Sequence, residues 1–500
     1  MAHAVSQCEK IAAGVKAYFT AEVNLQSLAR PGTPAVRLVN SVSVSVEKDP
    51  KMEGGLSGQV NKYIADVHFT KVDGTLGSQQ LSLLQKTFSD DRIAGSQQLG
   101  LAREGIFYRT AIDVVANGKA DPGRHATGSD VVTPHRGASS DDVIRFFLPF
   151  AQGDSPLFSY LPPTYDADGD MVSGHKSIVM RNMVRESISV SFLMDAGGSP
   201  LNWGKVDVIA GEKEEKFTVL GTAVPTELDV VRAIADVGAA LHAPLWHEAG
   251  AAPSAVGTSG APTWLRGGWF LEAFTGTSSS QAAWESSVSF VKGLWEEGKT
   301  DGKIAAIGYD ARLIKLVEAS FAATTWATCL EDVRRRSWTL VHGDFHPGNM
   351  LWRTGSTPRV GEPSIVLVDW EVVGWGNGPQ EIAQFFISHS AATARRGYYM
   401  EVLQRYVDGV NRRRAFLNAQ HGSQHDGTAA VKPLVMSEVL DDYIHCGLGR
   451  WLFVIPFLVK HCPVGMNKYW HDQVLTFAID HGILDDHGIA AAAKLPIVRA

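Results

Sequence analysis

Cysteine is scarce in this 500-residue chain, which contains four, at positions 8, 329, 446 and 462. They are scattered and form no Cys-x-x-Cys pair, the spacing typical of zinc sites and redox-active thiols. Scattered cysteines also argue against the disulfide framework that small secreted domains need. The sequence therefore predicts reduced thiols and a cytoplasmic protein.

Long hydrophobic runs are missing as well. The longest, Trp451 to Val459, contains Pro456 and is well short of the roughly 20 apolar residues that a membrane helix needs. Glu9 and Lys10 interrupt the only early apolar stretch, which argues against a secretory signal, and Glu22 adds an acidic residue that transit peptides avoid. We therefore expect no transmembrane segment.

The chain has no excess of positive charge, since its formal net charge is -7 at pH 7. A general nucleic-acid binder would carry a basic stripe, so we expect no nucleic-acid partner. The sequence lacks the Gly-x-Ser-x-Gly elbow that would indicate a hydrolase. Gly302-Lys303 is not a Walker motif, because the required glycine spacing and the following Ser or Thr are absent.

The most informative stretch runs from Leu340 to Trp352 and reads L-V-H-G-D-F-H-P-G-N-M-L-W. Asn349 follows Asp344 by five residues, the spacing of the protein-kinase catalytic loop, and a second apolar run, Ile365 to Val368, ends on Asp369. Phosphoryl transfer requires a hydroxyl positioned in line with a γ-phosphate and Mg²⁺ held against the phosphate oxygens. We predict that Asp344 accepts the hydroxyl proton and that Asn349 and Asp369 are magnesium ligands.

The run H-G-D-F-H-P-G-N, followed by V-D-W-E, resembles the aminoglycoside phosphotransferase and choline kinase superfamily. The resemblance implies a protein-kinase-like fold and an enzyme that phosphorylates a small molecule, with ATP and Mg²⁺ as cofactors. It covers roughly residues 50 to 390 by motif and the remainder only by helical character. A lone His-x-Asp would more often be a salt-bridged aspartate in an ordinary loop, but Asn349 and Asp369 together favour the catalytic interpretation.

Alternation of apolar and polar residues indicates strands at 42–47 and 63–69, with Gly54-Gly55-Leu56-Ser57-Gly58 between them. Because glycines let backbone N–H groups approach phosphates, Gly55 and Gly58 are predicted to contact the nucleotide, although a plain hairpin turn would read the same way. Lys86 ends the next strand and is predicted to reach the phosphates, oriented by Glu104. The sequence around Glu104 resembles the R-E-x-x-F-Y helix of the superfamily.

The apolar stretch from Ser177 to Val184 turns polar at its end. In kinase-like folds this is the hinge between the lobes, so the resemblance implies that the backbone of Met180 to Met183 holds the adenine; an ordinary core strand is the alternative. Helical periodicity then leads to His242, which we interpret as a packing residue or a polar anchor and not as a catalyst. At Glu381 the superfamily usually has Asp, a departure that puts the anchoring of the following helix in doubt.

Taken together, these patterns predict an α+β, protein-kinase-like, two-lobe fold with an antiparallel-sheet N-lobe and a mainly helical C-lobe. The predicted divisions are an N-terminal helical extension at 1–35, an N-lobe at 36–183 with the glycine loop and the phosphate lysine, and a C-lobe at 184–500 with the catalytic loop and the metal-binding strand.

The predicted function is transfer of the γ-phosphate of ATP to a hydroxyl of a small alcohol or amino alcohol, as in aminoglycoside phosphotransferases. A choline- or ethanolamine-type kinase is one alternative, and a catalytically inactive kinase-like binding protein is another. A protein kinase is disfavoured because no A-P-E segment follows Asp369. A zinc pair of His342 and His346 is disfavoured by ligand count. The sequence leaves the oligomeric state open.

The phosphate acceptor is the least defined part of the prediction. Two tryptophans, a glutamate and an acidic segment would make an acidic, aromatic pocket for a cationic amine. The interpretation that we favour makes the tryptophans core residues and the aspartates a solvated helix face. The residues concerned are Trp370, Glu371, Trp375 and Asp441-Asp442-Tyr443.

Overall fold

The structure is a computed structural model, which describes several segments of the chain. These are residues 2–29, 33–47, 52–54, 58–88, 92–117, 141–153, 156–194, 206–218, 223–250, 261–354, 363–421, 432–485, 488–489 and 495–498. We use the names N-lobe for residues 36–183 and C-lobe for residues 184–500, which are the bounds of the predicted division.

A six-stranded antiparallel sheet forms the N-lobe, in the order β1-β3-β4-β6-β5 with β2 paired to β3. In this sheet Lys86 lies opposite Ile178. Because side chains alternate between the faces of a strand, Lys86 and Lys176 project from the same face. The strands are β1 (Val36–Val46), β2 (Met52–Gly54), β3 (Gly58–Lys71), β4 (Leu76–Thr87), β5 (Thr164–Gly169) and β6 (Lys176–Arg181).

One face of this sheet is covered by the N-terminal helix α1 (Ala2–Tyr18). Ile11, Val15 and Phe19 recur every four residues and lie in one apolar cluster with sheet residues such as Val67. Ile11 and Val15 are fully buried, and burial of such a side chain stabilises the fold by roughly 1.5–3 kcal/mol. The helix α2 (Glu22–Leu25) follows.

Helices α3 (Ile93–Leu99) and α4 (Arg103–Asn117) follow β4 in sequence. Gly105 of α4 and Gly169 of β5 lie where a β-carbon would overlap the backbone of the other element. These two glycines therefore allow the helix to approach the strand closely. This approach places Glu104 above the face that carries the two lysines.

Helices dominate the C-lobe, whose core is continuous with the inner face of the N-lobe. Helix α7 begins with a capping box of Thr226 and Asp229, a motif that satisfies its first backbone N–H groups. The remaining helices are α5 (Asp141–Phe147), α6 (Val206–Lys213), α7 (Glu227–His242), α8 (Trp269–Thr275), α9 (Gln281–Thr300), α10 (Lys303–Ile307), α11 (Ala311–Ala323), α12 (Trp326–Arg335), α13 (Gly378–His389), α14 (Ala392–His421), α15 (Met436–His461) and α16 (Val464–Asp480).

Short strands frame the catalytic stretch. The pair β8 (Thr339–Val341) and β11 (Gly374–Gly376) is antiparallel, and β9 pairs with both β7 and β10. The other strands are β7 (Ser187–Ser189), β9 (Met350–Arg353), β10 (Ile365–Leu367), β12 (Leu484–Asp485) and β13 (Gly488–Ile489).

The predicted α+β class is confirmed, since an antiparallel sheet forms the N-terminal part of the fold and helices form most of its C-terminal part. The two strands predicted at 42–47 and 63–69 lie largely within β1 and β3. Among the described residues, no helix is both long and apolar enough to cross a bilayer.

Candidate active site

Asp344 and Asn349 are joined directly in the loop between β8 and β9. The Nδ2 group of Asn349 donates to the backbone oxygen of Asp344 at 3.0 Å and to its Oδ2 at 3.1 Å. Gln384 of α13 donates to the other carboxylate oxygen at 3.0 Å. Because the amide nitrogen of Asn349 is hydrogen-bonded to Asp344, the amide oxygen of Asn349 is the atom that remains available to bind a cation.

Asp369 lies immediately beside Asn349. The backbone N–H of Val368 donates to the backbone oxygen of Asn349 at 3.0 Å, which continues the pairing of β9 with β10. Asp369 has φ +67°, and no other non-glycine residue in the described ranges has a positive φ. Such conformations cost of order 1–3 kcal/mol and cluster at functional sites. The structure thus brings together the three residues predicted for catalysis and metal binding.

Glu381 of α13 anchors the catalytic loop. Its carboxylate accepts from the backbone N–H groups of Gly343 at 2.6 Å and His342 at 3.1 Å. Its Oε2 also lies 3.0 Å from Nε2 of His242, whose Nδ1 is 2.9 Å from the hydroxyl of Tyr406. The substitution of Glu for Asp therefore preserves an anchor, and the interpretation of His242 as a polar anchor is confirmed.

Gly343 occupies the position where protein kinases have an arginine. Its φ is +86°, and a β-carbon there would overlap the carbonyl oxygen of Val372. His342 donates from Nε2 to the backbone oxygen of Val368 at 2.9 Å, so it ties the catalytic loop to the strand that ends on Asp369. His346 instead pairs with Asp344 at 3.3 Å. The two histidines therefore make separate contacts, one with the strand that precedes Asp369 and one with Asp344.

Lys86 reaches three carboxylates from the N-lobe sheet. Its Nζ lies 2.8 Å from Glu104, 2.8 Å from Asp369 and 3.2 Å from Glu371. The predicted pair of Lys86 and Glu104 is thus in contact, next to the predicted metal ligand Asp369. Burial alone would lower the pKa of Lys86, but the three carboxylates outweigh it and raise the pKa well above its ordinary value.

Lys176, at the start of β6, was missed by the sequence analysis. Its side chain is fully buried, and Nζ lies 2.7 Å from Glu104 and 2.5 Å from Glu371. Burial would raise the pKa of Glu104, but Lys176 and Lys86 together lower it to about 2. A lysine next to an apolar run is only a weak indication of a buried ion pair. The pairing of Lys176 with Glu104 depends on the register of the sheet, which the sequence does not specify.

A cation fits this cluster. The ligand oxygens of Glu104, Asp369 and Glu371 lie within 4.8 Å of one another, and the ammonium group of Lys86 already contacts all three residues. Carboxylate and amide oxygens are the hard ligands that Mg²⁺ prefers. The donor set of Asp369 and the adjacent Asn349 therefore suits magnesium.

The charges around Asp344 favour its ionised form. Burial alone would raise the pKa of Asp344, but His346, Arg450 and His342 outweigh it and hold the pKa below its ordinary value. Burial would lower the pKa of His346, yet Asp344 raises it above its ordinary value of 6.5. The ring of His389 lies parallel to that of His346, with centroids 6.2 Å apart. Burial and the charge of His346 lower the pKa of His389 to about 3.

Of the remaining predicted nucleotide contacts, Gly58, Met180 and Met183 lie within the described residues. Gly58 is the first residue of β3 and pairs with Gly54 of β2, whereas Gly55 lies outside the described residues. Met180 lies within β6, and Met183 begins the turn that follows it. Both methionines are buried. Their contact with a nucleotide stays a prediction.

The acidic, aromatic acceptor pocket is not formed. Trp370 is fully buried and stacks on Phe107 with ring centroids 4.3 Å apart, and Trp375 and Tyr443 are buried as well. The favoured interpretation is correct for the tryptophans and for the exposed Asp441. It is wrong for Asp442, which is buried and accepts hydrogen bonds. The donors to Asp442 are Arg336, Ser337 and Asn377.

The predicted catalytic loop lies within the part of the chain that matches a family of phosphotransferases. The sequence model described as "Phosphotransferase enzyme family" (APH) matches residues 229–417, which include Asp344, Asn349 and Asp369. The predicted resemblance is thereby confirmed, and the match supports a phosphotransferase. A search of curated proteins found no match.

Solved structures of small-molecule kinases are similar at low identity. A choline kinase from Cryptosporidium parvum Iowa II is 10% identical, with 88% of this chain and 91% of that chain covered and a TM-score of 0.33. A glucosamine kinase in complex with glucosamine, ADP and inorganic phosphate is 13% identical, with coverage of 94% and 98% and a TM-score of 0.34. A choline/ethanolamine kinase family protein from Mesorhizobium loti is 12% identical, with coverage of 85% and 92% and a TM-score of 0.25.

Proposed function

We propose that this protein is an ATP-dependent phosphotransferase that moves the γ-phosphate to a hydroxyl group of a small molecule. One observation carries the proposal: Asp344, Asn349 and Asp369 are adjacent, and Lys86 contacts Asp369 from the opposite lobe at 2.8 Å. This arrangement supplies an anion for the acceptor, two oxygen ligands for a metal and a cation for phosphates, which phosphoryl transfer requires.

Asp344 orients the acceptor hydroxyl and takes its proton. Gln384 and Asn349 each donate to its carboxylate, which restricts the direction of the free lone pairs. Because its pKa is lowered, Asp344 is a weak base at neutral pH. Its main contribution is therefore to hold the hydroxyl in line, with proton transfer completed as the new oxygen–phosphorus bond forms.

Bound Mg²⁺ and ATP would supply the phosphoryl group and neutralise its charge. Asn349 and Asp369 would hold the metal, and Lys86 would turn from Asp369 towards the phosphates. Lys176 remains beside Glu104 at 2.7 Å, so Glu104 keeps a counter-ion when Lys86 turns. The backbone of Met180 to Met183, with Gly55 and Gly58, would complete the nucleotide site.

The test is magnesium-dependent thermal stabilisation by ATP, followed by measurement of ADP release over a panel of hydroxylated sugars, amines, acids and sterols. We expect Asp344→Asn to retain nucleotide stabilisation and to lose phosphorylation. Lack of any stabilisation by ATP with magnesium, or unchanged turnover in Asp344→Asn, would refute the proposal. Binding of ATP without turnover of any acceptor would instead favour the catalytically inactive alternative.

A further inference from the structure

Three arginines surround the loop that carries Asp344. Arg103 begins α4, Arg266 lies in the segment before α8, and Arg450 belongs to α15. Arg103 and Arg450 are buried, and Arg266 is partly buried. They are separated by more than 100 residues in sequence, so only the tertiary structure brings them together.

Arg103 and Arg450 are held by neutral groups. Arg103 donates to the carbonyl oxygens of Glu371 at 2.9 Å and Trp264 at 2.5 Å. Arg450 donates to the carbonyl oxygen of Gly343 at 3.0 Å, one residue before Asp344. Among the described residues, the buried Nε of Arg450 has no hydrogen-bond partner. Carbonyl groups fix the two guanidinium groups without neutralising their charge.

Arg266 is fixed through its backbone. Its N–H donates to Val373 at 3.2 Å, and its carbonyl oxygen accepts from Trp375 at 2.8 Å. Gly374 makes this approach possible, because a β-carbon there would overlap the Arg266 backbone. No hydrogen bond or ion pair of the Arg266 side chain occurs within the described ranges.

Electrostatics support the proximity of these groups. Burial, together with Arg450 and Arg103, lowers the pKa of Arg266 to about 9, whereas Asp344 raises it. Asp344 and Glu381 are the carboxylates that oppose the lowering of the Arg450 pKa by burial. Glu381 is already occupied by two backbone N–H groups and His242. Arg266 and Arg450 therefore both interact electrostatically with Asp344, and Arg103 is the third positive charge close to Arg266.

We propose that the phosphate acceptor carries an anionic group, a carboxylate or a phosphate, which Arg266 binds beside Asp344. A surplus of positive charge in a partly buried site attracts an anion and repels an ammonium group. The planar guanidinium also matches a carboxylate or phosphate through two parallel hydrogen bonds. The inference rests on the proposed function and specifies its substrate class.

The location of the arginines favours the acceptor over the nucleotide. Both Arg266 and Arg450 bond to residues of the C-lobe: Arg266 to Val373 and Trp375, and Arg450 to Gly343. Lys86, the predicted phosphate ligand, reaches the site from the N-lobe sheet instead. Arg266 is thus placed to determine specificity for the acceptor.

The experiment compares acceptors that differ mainly in charge: glycerate and glucose 6-phosphate as anions, glycerol and glucose as neutral parents, and ethanolamine and glucosamine as cations. We expect ADP release with an anionic acceptor. In Arg266→Met the KM for that acceptor should rise about 10- to 100-fold, the range typical of a lost charged hydrogen bond. The KM for ATP should change less than about twofold, since no nucleotide contact is removed.

Arg266→Lys should recover part of the lost affinity because it keeps the charge. Arg412→Met, at an exposed position of α14, is the matched control and should behave as wild type. ATP-dependent stabilisation of each variant, together with its melting temperature, verifies that the fold is intact.

Two outcomes would overturn the inference. One is turnover confined to neutral or cationic acceptors. The other is a fall in kcat for every acceptor in Arg266→Met with KM unchanged, which would assign Arg266 to the transferring phosphoryl group. Thermal stabilisation by glycerate or glucose 6-phosphate without nucleotide separates the two proposals. If ATP does not bind but these anions stabilise wild type and not Arg266→Met, the anion site stands and the proposed function fails.

Discussion

Lys176 lies 2.7 Å from Oε2 of Glu104, the same oxygen that Lys86 contacts at 2.8 Å. One oxygen of the helix glutamate thus serves two lysines from neighbouring strands. Glu371 joins the same pair of lysines at 2.5 and 3.2 Å. Lys176 is therefore a second counter-ion, which would stay beside both glutamates if Lys86 turned to a nucleotide as proposed.

The first prediction concerns Lys176→Met. Without Lys176, Lys86 is the only lysine that pairs with Glu104 and Glu371, so it is less available to the phosphates of ATP. The KM for ATP should therefore rise by about tenfold or more. Loss of one partner from a buried ion pair costs roughly 3–5 kcal/mol. The melting temperature should fall as well. Both quantities are measured by ATP titration and thermal unfolding.

A charge-balanced double variant is the control for Lys176. Lys176→Met combined with Glu371→Gln removes one positive and one negative charge and should restore part of the affinity for ATP. Equal loss of ATP affinity in the single and double variants would show that Lys176 matters only for packing.

The second prediction concerns pH and the pair of Asp344 and His346. The pKa of Asp344 is lowered, so its stabilising contribution is present above its ordinary value of 3.8 and is lost as the pH falls through the lowered value. The pKa of His346 is raised, so its contribution is complete below 6.5 and is lost as the pH rises through the raised value. His346→Asn should therefore lower the melting temperature most between about pH 4 and 6.5.

Thermal unfolding of wild type and His346→Asn from pH 4 to pH 9 measures this effect. The difference in melting temperature should shrink above pH 6.5 and remain modest, because both side chains are partly exposed. A difference that is constant across the range would show that the ion pair does not contribute.

The third prediction concerns the anchor at Glu381. Glu381→Ala leaves the backbone N–H groups of His342 and Gly343 without their acceptor, which costs about 1–3 kcal/mol for each buried group. We expect a lower melting temperature and a kcat reduced at least tenfold, since the loop that carries Asp344 is no longer fixed. Glu401→Ala, at an exposed ion pair with Arg232, is the matched control and should leave both quantities nearly unchanged.

The fourth prediction separates two costs at Gly343. Gly343→Ala must adopt φ +86° and must also displace the carbonyl oxygen of Val372, whereas Gly74→Ala must adopt φ +85° with no atom within 4 Å. The conformational cost alone is about 1–2 kcal/mol. Chemical denaturation should give about that loss for Gly74→Ala and a clearly larger one for Gly343→Ala. Equal losses would mean that Val372 yields without cost.

Local sequence determined the loop geometry at Asp344 and Asn349. The two residues are five apart, so a single turn of chain is enough to bring the amide to the carboxylate. Asp369 was predictable for a similar reason, because an apolar strand that ends on a carboxylate places it at the strand terminus. Burial of Trp370 and Trp375 followed from their hydrophobicity, whereas the sequence alone was also compatible with an aromatic pocket for the acceptor.

Sequence by itself determined the antiparallel sheet, the helical C-terminal part and the contact between Asp344 and Asn349, since periodicity and short spacings specify contacts between near neighbours. Tertiary structure alone decided that Lys176 neutralises Glu104 and that Arg266 and Arg450 lie beside Asp344. The reason is physical: these contacts join segments separated by tens to hundreds of residues, and their geometry depends on strand register and helix packing. The partner of a buried charged side chain can therefore be identified only from the folded structure.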